Sequence, residues 1–146
     1  MITEMTEVSS ADQAATAVVY LRKALALAAR RRGFCAPNPA VGAIVCQSGT
    51  IVGEGCHHVA GADHAEVVAL KQAGSKARGA TLYVTLEPCG HTGRTPPCVD
   101  AILKFGIVEV YFAYADPNPV VKQEGGLARL RAAGVRCYHV LLPEVQ

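Results

Sequence analysis

The chain has 146 residues, 51% of them hydrophobic and 18% charged, with a formal net charge of +2. That is the size and composition of one globular domain, and it excludes a disordered chain. The near-balanced charge argues against a nucleic-acid surface, which calls for a clustered basic stripe, and no apolar run reaches the roughly 20 residues of a membrane span.

Residues 1–10 carry Glu4 and Glu7 and lack the basic-then-apolar layout of a secretory signal. The six cysteines are therefore expected in a reducing, cytoplasmic setting. There, cysteine clusters bind metal or catalyse more often than they form disulfides. The high apolar content also hints that part of the surface is covered by another subunit.

Residues 11–32 place Ala14, Ala17, Val18, Leu21, Leu25 and Ala28 at spacings of three and four, which predicts an amphipathic helix. Ser10 with Gln13 fits a capping box, and Gly33 fits a stop. The run Arg30-Arg31-Arg32 complements the negative end of the helix dipole. Pro37 and Pro39 bar helix beyond it. Residues 40–46 read as a buried strand, Gln47-Ser48-Gly49-Thr50 as a turn, and 51–56 as the returning strand. A second helix is predicted from about 64 to 73, stopped by Gly74, and a third strand over 82–86. Pro96-Pro97 opens a helix that runs through Phe105 and stops at Gly106. A strand over 107–113, a helix over 126–133 stopped by Gly134, and a strand over 135–140 complete the chain. Strands and helices alternate after the first hairpin, so the class is α/β. The hairpin supplies an antiparallel pair and the later crossovers supply parallel ones. The expectation is one domain spanning 1–146, with a mixed sheet and helices on both faces.

The chemistry-bearing residues are His64-Ala65-Glu66, then Pro88-Cys89, then Cys98. Zinc takes imidazole nitrogen and thiolate readily, and three protein ligands leave the fourth tetrahedral position open for water, the mark of a catalytic site. A carboxylate that does not bind the metal must then carry protons, and Glu66 stands two residues after the histidine. This arrangement is the signature of zinc deaminases. His64 and Glu66 would lie in the first turn of one helix and Cys98 at the start of the next, where the helix dipole favours thiolate. Each piece has a plainer reading. Asp63 with Glu66 is also a capping box, and Cys89 or Cys98 alone would pass for a small buried hydrophobe. Cys46 and Cys137 lie in strand runs and read as core. Cys56-His57-His58 is a rival ligand cluster, but neighbours on a strand point to opposite faces, so only part of it could share one metal. His139 reads as unrelated to function.

The chain resembles the deaminase domain of bacterial bifunctional riboflavin-biosynthesis proteins, a branch of the cytidine-deaminase-like superfamily. The resemblance covers about residues 13–137. It rests on Pro37-Asn38-Pro39-Ala40-Val41-Gly42, His64-Ala65-Glu66-Val67, Thr85-Leu86-Glu87-Pro88-Cys89, the loop from Gly90-His91 through Gly93-Arg94-Thr95-Pro96-Pro97 to Cys98, and Asp116-Pro117-Asn118-Pro119. Eight residues separate Cys89 from Cys98, where many relatives acting on cytidine or on adenosine in transfer RNA have only two. The resemblance implies a three-layer α/β/α fold with a five-stranded mixed sheet. It also implies one zinc ion per chain, held by His64, Cys89 and Cys98, with Glu66 as catalytic residue. The implied substrate is a phosphorylated pyrimidine, 2,5-diamino-6-ribosylamino-4(3H)-pyrimidinone 5′-phosphate, whose C2 amine is replaced by oxygen with release of ammonia. Asn38 would hydrogen-bond the base, while His57, His91, Arg94, Thr95, Asp116 and Asn118 would line the base and ribose-phosphate pocket. Arg94 is the phosphate candidate, since guanidinium matches phosphate geometry. A homodimer or homotetramer is implied as well.

Two departures stand out. The family usually continues into a reductase domain that uses NADPH; here the sequence stops at Gln146, which leaves open a separate deaminase, with a separate reductase as a candidate partner, or an isolated domain of a longer protein. The family's Val-Ala-Gly-x-Gly segment reads Val121-Lys122-Gln123-Glu124-Gly125-Gly126, which alters one pocket edge. That change keeps open a related deaminase acting on another pyrimidine- or purine-like ring in a specialised pathway. A non-catalytic zinc scaffold is the third reading, and the intact Glu66 speaks against it. Neither nucleic acid nor membrane is expected as a partner; aromatics, needed to stack bases, are only 5% of the chain.

Overall fold

The computed structural model describes residues 11–30, 41–56, 65–86, 98–114, 126–140 and 142. Along them run α1 (Ala11–Arg30), β1 (Gly42–Gln47), β2 (Thr50–Cys56), α2 (Ala65–Ala73) followed by a 3-10 turn (Gly74–Ala77), β3 (Thr81–Leu86), α3 (Cys98–Phe105), β4 (Glu109–Tyr114), α4 (Gly126–Ala132) and β5 (Arg136–His139). The strands form one mixed sheet in the order β2-β1-β3-β4-β5. β1 is antiparallel to both neighbours, while β3, β4 and β5 are parallel. The expected α/β class and mixed sheet are therefore observed. Among the described residues no helix is long and apolar enough to cross a membrane.

The sequence pattern dictates both faces of the sheet. Strand side chains alternate, so Ala43 and Val45 of β1 join Leu82, Val84, Val110 and Phe112 in one core, under α2, α3 and α4. Ile44, Cys46, Tyr83, Tyr111 and Tyr138 face the other way and pack against Ala17, Leu21 and Ala24 of α1. The predicted α1 stripe is the buried one, with Ala24 added to it and Val18 and Leu25 at its margin. Cys46 and Cys137 are core residues, as expected. Among the described residues only Val19 and Val108 expose large apolar side chains, so the high apolar content goes mainly into two cores.

The hairpin turn is Ser48-Gly49, both with positive φ (52° and 80°); this twist matches the flanking strands and selects glycine at the second position. Val52 is an extra residue on β2, since Val45 pairs with Gly53 and Cys46 with Ile51. The stops at Gly106 and Gly134 are left-handed glycines at helix ends. Each is followed by a six-to-one bond, Ile107 N–H to the Ile102 carbonyl and Val135 N–H to the Leu130 carbonyl. This explains where the predicted strands begin too early. The amides of Ile107 and Val135 are engaged by the preceding helix, so β4 starts at Glu109 and β5 at Arg136.

Close helix–sheet approach depends on glycines of β1 and β2. A Cβ on Gly42 would lie 1.9 Å from the Ala24 carbonyl oxygen of α1. On Gly53 and Gly55 it would lie 2.2 Å and 2.5 Å from the carbonyl oxygens of Ala69 and Ala65 in α2. These are backbone atoms, so only glycine lets both helices settle at this depth.

The aromatic residues are few but concentrated. Tyr20, Tyr83, Tyr111 and Tyr138 form a continuous ladder across the α1 face, with successive ring centroids 5.0, 5.2 and 5.0 Å apart. At its edge Gln13 donates to the Tyr111 hydroxyl, and Arg136 bonds Glu109 at 3.0 Å. Burial pushes the Tyr111 hydroxyl up to about 12 and the Cys46 thiol up to about 11. Burial also raises Tyr83, reinforced by its acidic neighbours. Folded values above unfolded ones mean that the fold prefers the neutral forms. Stability from this ladder is thus full below about pH 9–10 and is lost as pH rises toward the folded values. The expected result is a melting temperature that is level near neutrality and falls steadily between about pH 9 and 12, with a shallower fall in Tyr83→Phe. Equal alkaline slopes in the two proteins would contradict this.

Candidate metal centre

The topology gathers one end of the sheet. Gly42 at the start of β1 pairs with Cys56 at the end of β2, and Leu86 at the end of β3 pairs with Tyr114 at the end of β4. Each of α2, α3 and α4 follows a strand of this set, so all three helices start at the same end. Ligand sites in open α/β sheets lie beyond the strand ends in this way.

Glu66 stands in the first turn of α2, where unpaired backbone N–H groups favour negative charge. Its side chain is only 4% exposed. A carboxylate that merely caps a helix loses nothing by facing water, whereas removing one from water is costly unless it is engaged. The depth of Glu66 therefore weighs against the plain capping role. Cys98 is the first residue of α3 and is 1% exposed. A thiol at a helix start is the one most readily ionised for metal binding. α2 and α3 pack against each other, so the fold brings Glu66 and Cys98 to neighbouring helix starts.

The remaining expected site residues (His64, Cys89, Asn38, His57, His91, Arg94, Thr95, Asp116 and Asn118) lie outside the described residues, as do Asp63 and His58. Among the described residues no group of three or more His, Cys, Asp or Glu gathers; two of the three expected ligands are not among them. As residue types, the expected ligands, one histidine and two cysteines, are ones that zinc takes readily. In the rival cluster, Gly53 and Gly55 abut α2, so strand alternation turns Cys56 to the opposite face, away from the helix that carries Glu66. His139 stacks on Phe112 at 4.8 Å, and its Nε2–H donates to the Ala113 carbonyl at 2.9 Å.

A further buried polar residue is Thr85, 2% exposed, whose Oγ1 accepts the Gly42 amide at 3.2 Å. The sequence marks it only as the first residue of the Thr85-Leu86-Glu87-Pro88-Cys89 motif and as a hydroxyl in an apolar strand, with no role attached.

The family model of the cytidine and deoxycytidylate deaminase zinc-binding region matches residues 15–114. The chain belongs to this family. It is 58% identical over 116 residues to the riboflavin biosynthesis protein RibD of Aquifex aeolicus, covering 80% of this chain and 32% of that one. It thus spans about a third of the length of the curated relatives it matches. Its fold superposes on RibD of Acinetobacter baumannii with a TM-score of 0.83 at 43% identity, over 88% of this chain and 36% of that one. A diaminohydroxyphosphoribosylaminopyrimidine deaminase/5-amino-6-(5-phosphoribosylamino)uracil reductase of Thermotoga maritima gives a TM-score of 0.80 at 40% identity, over 90% and 38%. The likeness to the riboflavin branch read from the motifs is thereby borne out.

Proposed function

We propose that this chain is a single zinc-dependent hydrolytic deaminase domain whose substrate is 2,5-diamino-6-ribosylamino-4(3H)-pyrimidinone 5′-phosphate. The observation that carries the reading is a carboxylate, Glu66, buried to 4% exposure in the first turn of a helix in a member of a zinc-binding deaminase family. The activity named for the Thermotoga maritima relative supports the substrate class.

His64, Cys89 and Cys98 would hold one zinc ion. When bound, that ion supplies Lewis acidity that brings the ionisation of a water near neutrality. Glu66 takes the proton of the attacking water and passes it to a ring nitrogen. It then carries a proton to the departing amine. A C–O bond forms at ring carbon 2, the C–N bond breaks, and ammonia leaves. Buried beside the reacting ring, Glu66 shuttles these protons without exchange with bulk water. Asn38 hydrogen-bonds the base and fixes which ring carbon faces the nucleophile. His57, His91, Thr95, Asp116 and Asn118 line the base and ribose, and Arg94 grips the phosphate through a two-pronged bond. The same resemblance supports a cytoplasmic homodimer or homotetramer working with a reductase.

The phosphate assignment tests this reading. Arg94→Ala is expected to raise KM for the phosphorylated ring by roughly tenfold to a hundredfold, the cost of a charge-assisted hydrogen bond. KM for the dephosphorylated analogue should change little. Equal effects on both would remove Arg94 from the phosphate site.

A further inference from the structure

The start of β1 is held in place by a side chain. β1 and β3 pair from Cys46↔Thr81 to Ala43↔Val84, and the next positions in that register are Gly42 and Thr85. There the Gly42 N–H donates to the Thr85 hydroxyl at 3.2 Å. Both residues are buried, so water offers the amide little compensation. Gly42 also lies so close to α1 that a Cβ would overlap the Ala24 carbonyl oxygen. Its position is therefore constrained by both the α1 backbone and the Thr85 hydroxyl.

We propose that Thr85 is a positioning residue that clamps the base-binding segment to the metal-binding segment through its bond to Gly42. Asn38 lies four residues before Gly42, and Cys89 lies four residues after Thr85. One hydrogen bond thus joins the strand start that follows the base contact to the strand end that precedes a metal ligand. Neither Thr85 nor Gly42 is assigned a contact with the ring. Their effect is on the spacing of the two segments between which the ring must fit, where small misplacements cost heavily. The functional half of this inference rests on the deaminase reading; the clamp itself rests on the bond.

The test compares Thr85→Val, which keeps the shape and removes the acceptor, with Thr85→Ser, which keeps the hydroxyl. Amide hydrogen exchange on the full zinc-loaded chain is read first and needs no substrate. Thr85→Val is expected to speed exchange at Val41 and Gly42 by roughly tenfold or more, the factor for a buried donor that loses its acceptor. Val45, deeper in β1, should be unchanged, and Thr85→Ser should resemble wild type. Kinetics are read second: KM for the diaminopyrimidinone should rise several-fold in Thr85→Val with a smaller change in kcat, and Thr85→Ser should restore it. Unaltered exchange at Val41 and Gly42 would overturn the clamp. Faster exchange with unchanged KM would overturn the positioning role. A wild-type protein that does not turn over this ring would refute the substrate assignment, while the exchange rates would still decide the clamp.

Discussion

Glu66→Gln is expected to retain zinc and to lose turnover by at least about a hundredfold to ten-thousandfold, the usual worth of a positioned proton carrier. Glutamine fills the same volume and can keep hydrogen bonds, but it cannot take a proton from water and return it. The fold should tolerate the change. Losing one negative charge from the first turn of a helix costs on the order of 0.3–1 kcal/mol, and removing a buried carboxylate recovers part of its desolvation. Loss of activity with metal and melting temperature nearly intact would separate chemistry from structure. A variant working within a few-fold of wild type would remove Glu66 from the mechanism. A variant that lost its zinc would make the carboxylate a metal-supporting group.

The second large effect concerns stability. Gly42→Ala places a methyl group 1.9 Å from the Ala24 carbonyl oxygen, and neither atom is the end of a flexible side chain. Either α1 lifts from the sheet, opening the packing of Ala17, Leu21 and Ala24 on the tyrosine face, or the start of β1 moves and the Thr85 bond breaks. Overpacking against well-ordered groups costs about 1–3 kcal/mol and sometimes more. This contact belongs at the upper end, which for a domain of this size is on the order of 10 °C in melting temperature. Gly55→Ala, with its 2.5 Å approach to Ala65, should cost less stability. Because it lifts the first turn of α2, which carries Glu66, it should lower kcat. A Gly42→Ala protein that melts within 2–3 °C of wild type would mean that α1 can move at little cost.

Much of this was legible in the sequence because the signals were local. Gly106 and Gly134 announced their helix ends because the left-handed conformation at those ends favours glycine. Ser48-Gly49 announced the hairpin for a related reason. The continuous apolar run of 40–46 announced a buried strand. The order of strands was not legible, because no local pattern says that β2 takes the edge while β1 sits between β2 and β3. Nor was the late start of β4 and β5: Ile107 and Val135 have strand-like side chains, yet their amides belong to the preceding helix. The glycines at 42, 53 and 55 act through packed helices, and the Thr85 hydroxyl through a strand 43 residues away, neither of which a local pattern reveals. At the site, spacing alone named Glu66 and Cys98, and the fold sets them at adjacent helix starts. What spacing could not convey is depth, and it is the burial of Glu66 that weighs against a plain helix cap.

The most direct measurement is ammonia release from 2,5-diamino-6-ribosylamino-4(3H)-pyrimidinone 5′-phosphate by purified, zinc-loaded protein, with cytidine and deoxycytidylate as comparison rings. Rapid, stoichiometric release from the diaminopyrimidinone is expected, with little from the other two. Zinc bound at one ion per chain with no ammonia from the diaminopyrimidinone would contradict the substrate, and release from deoxycytidylate instead would move the chain to another branch of its family.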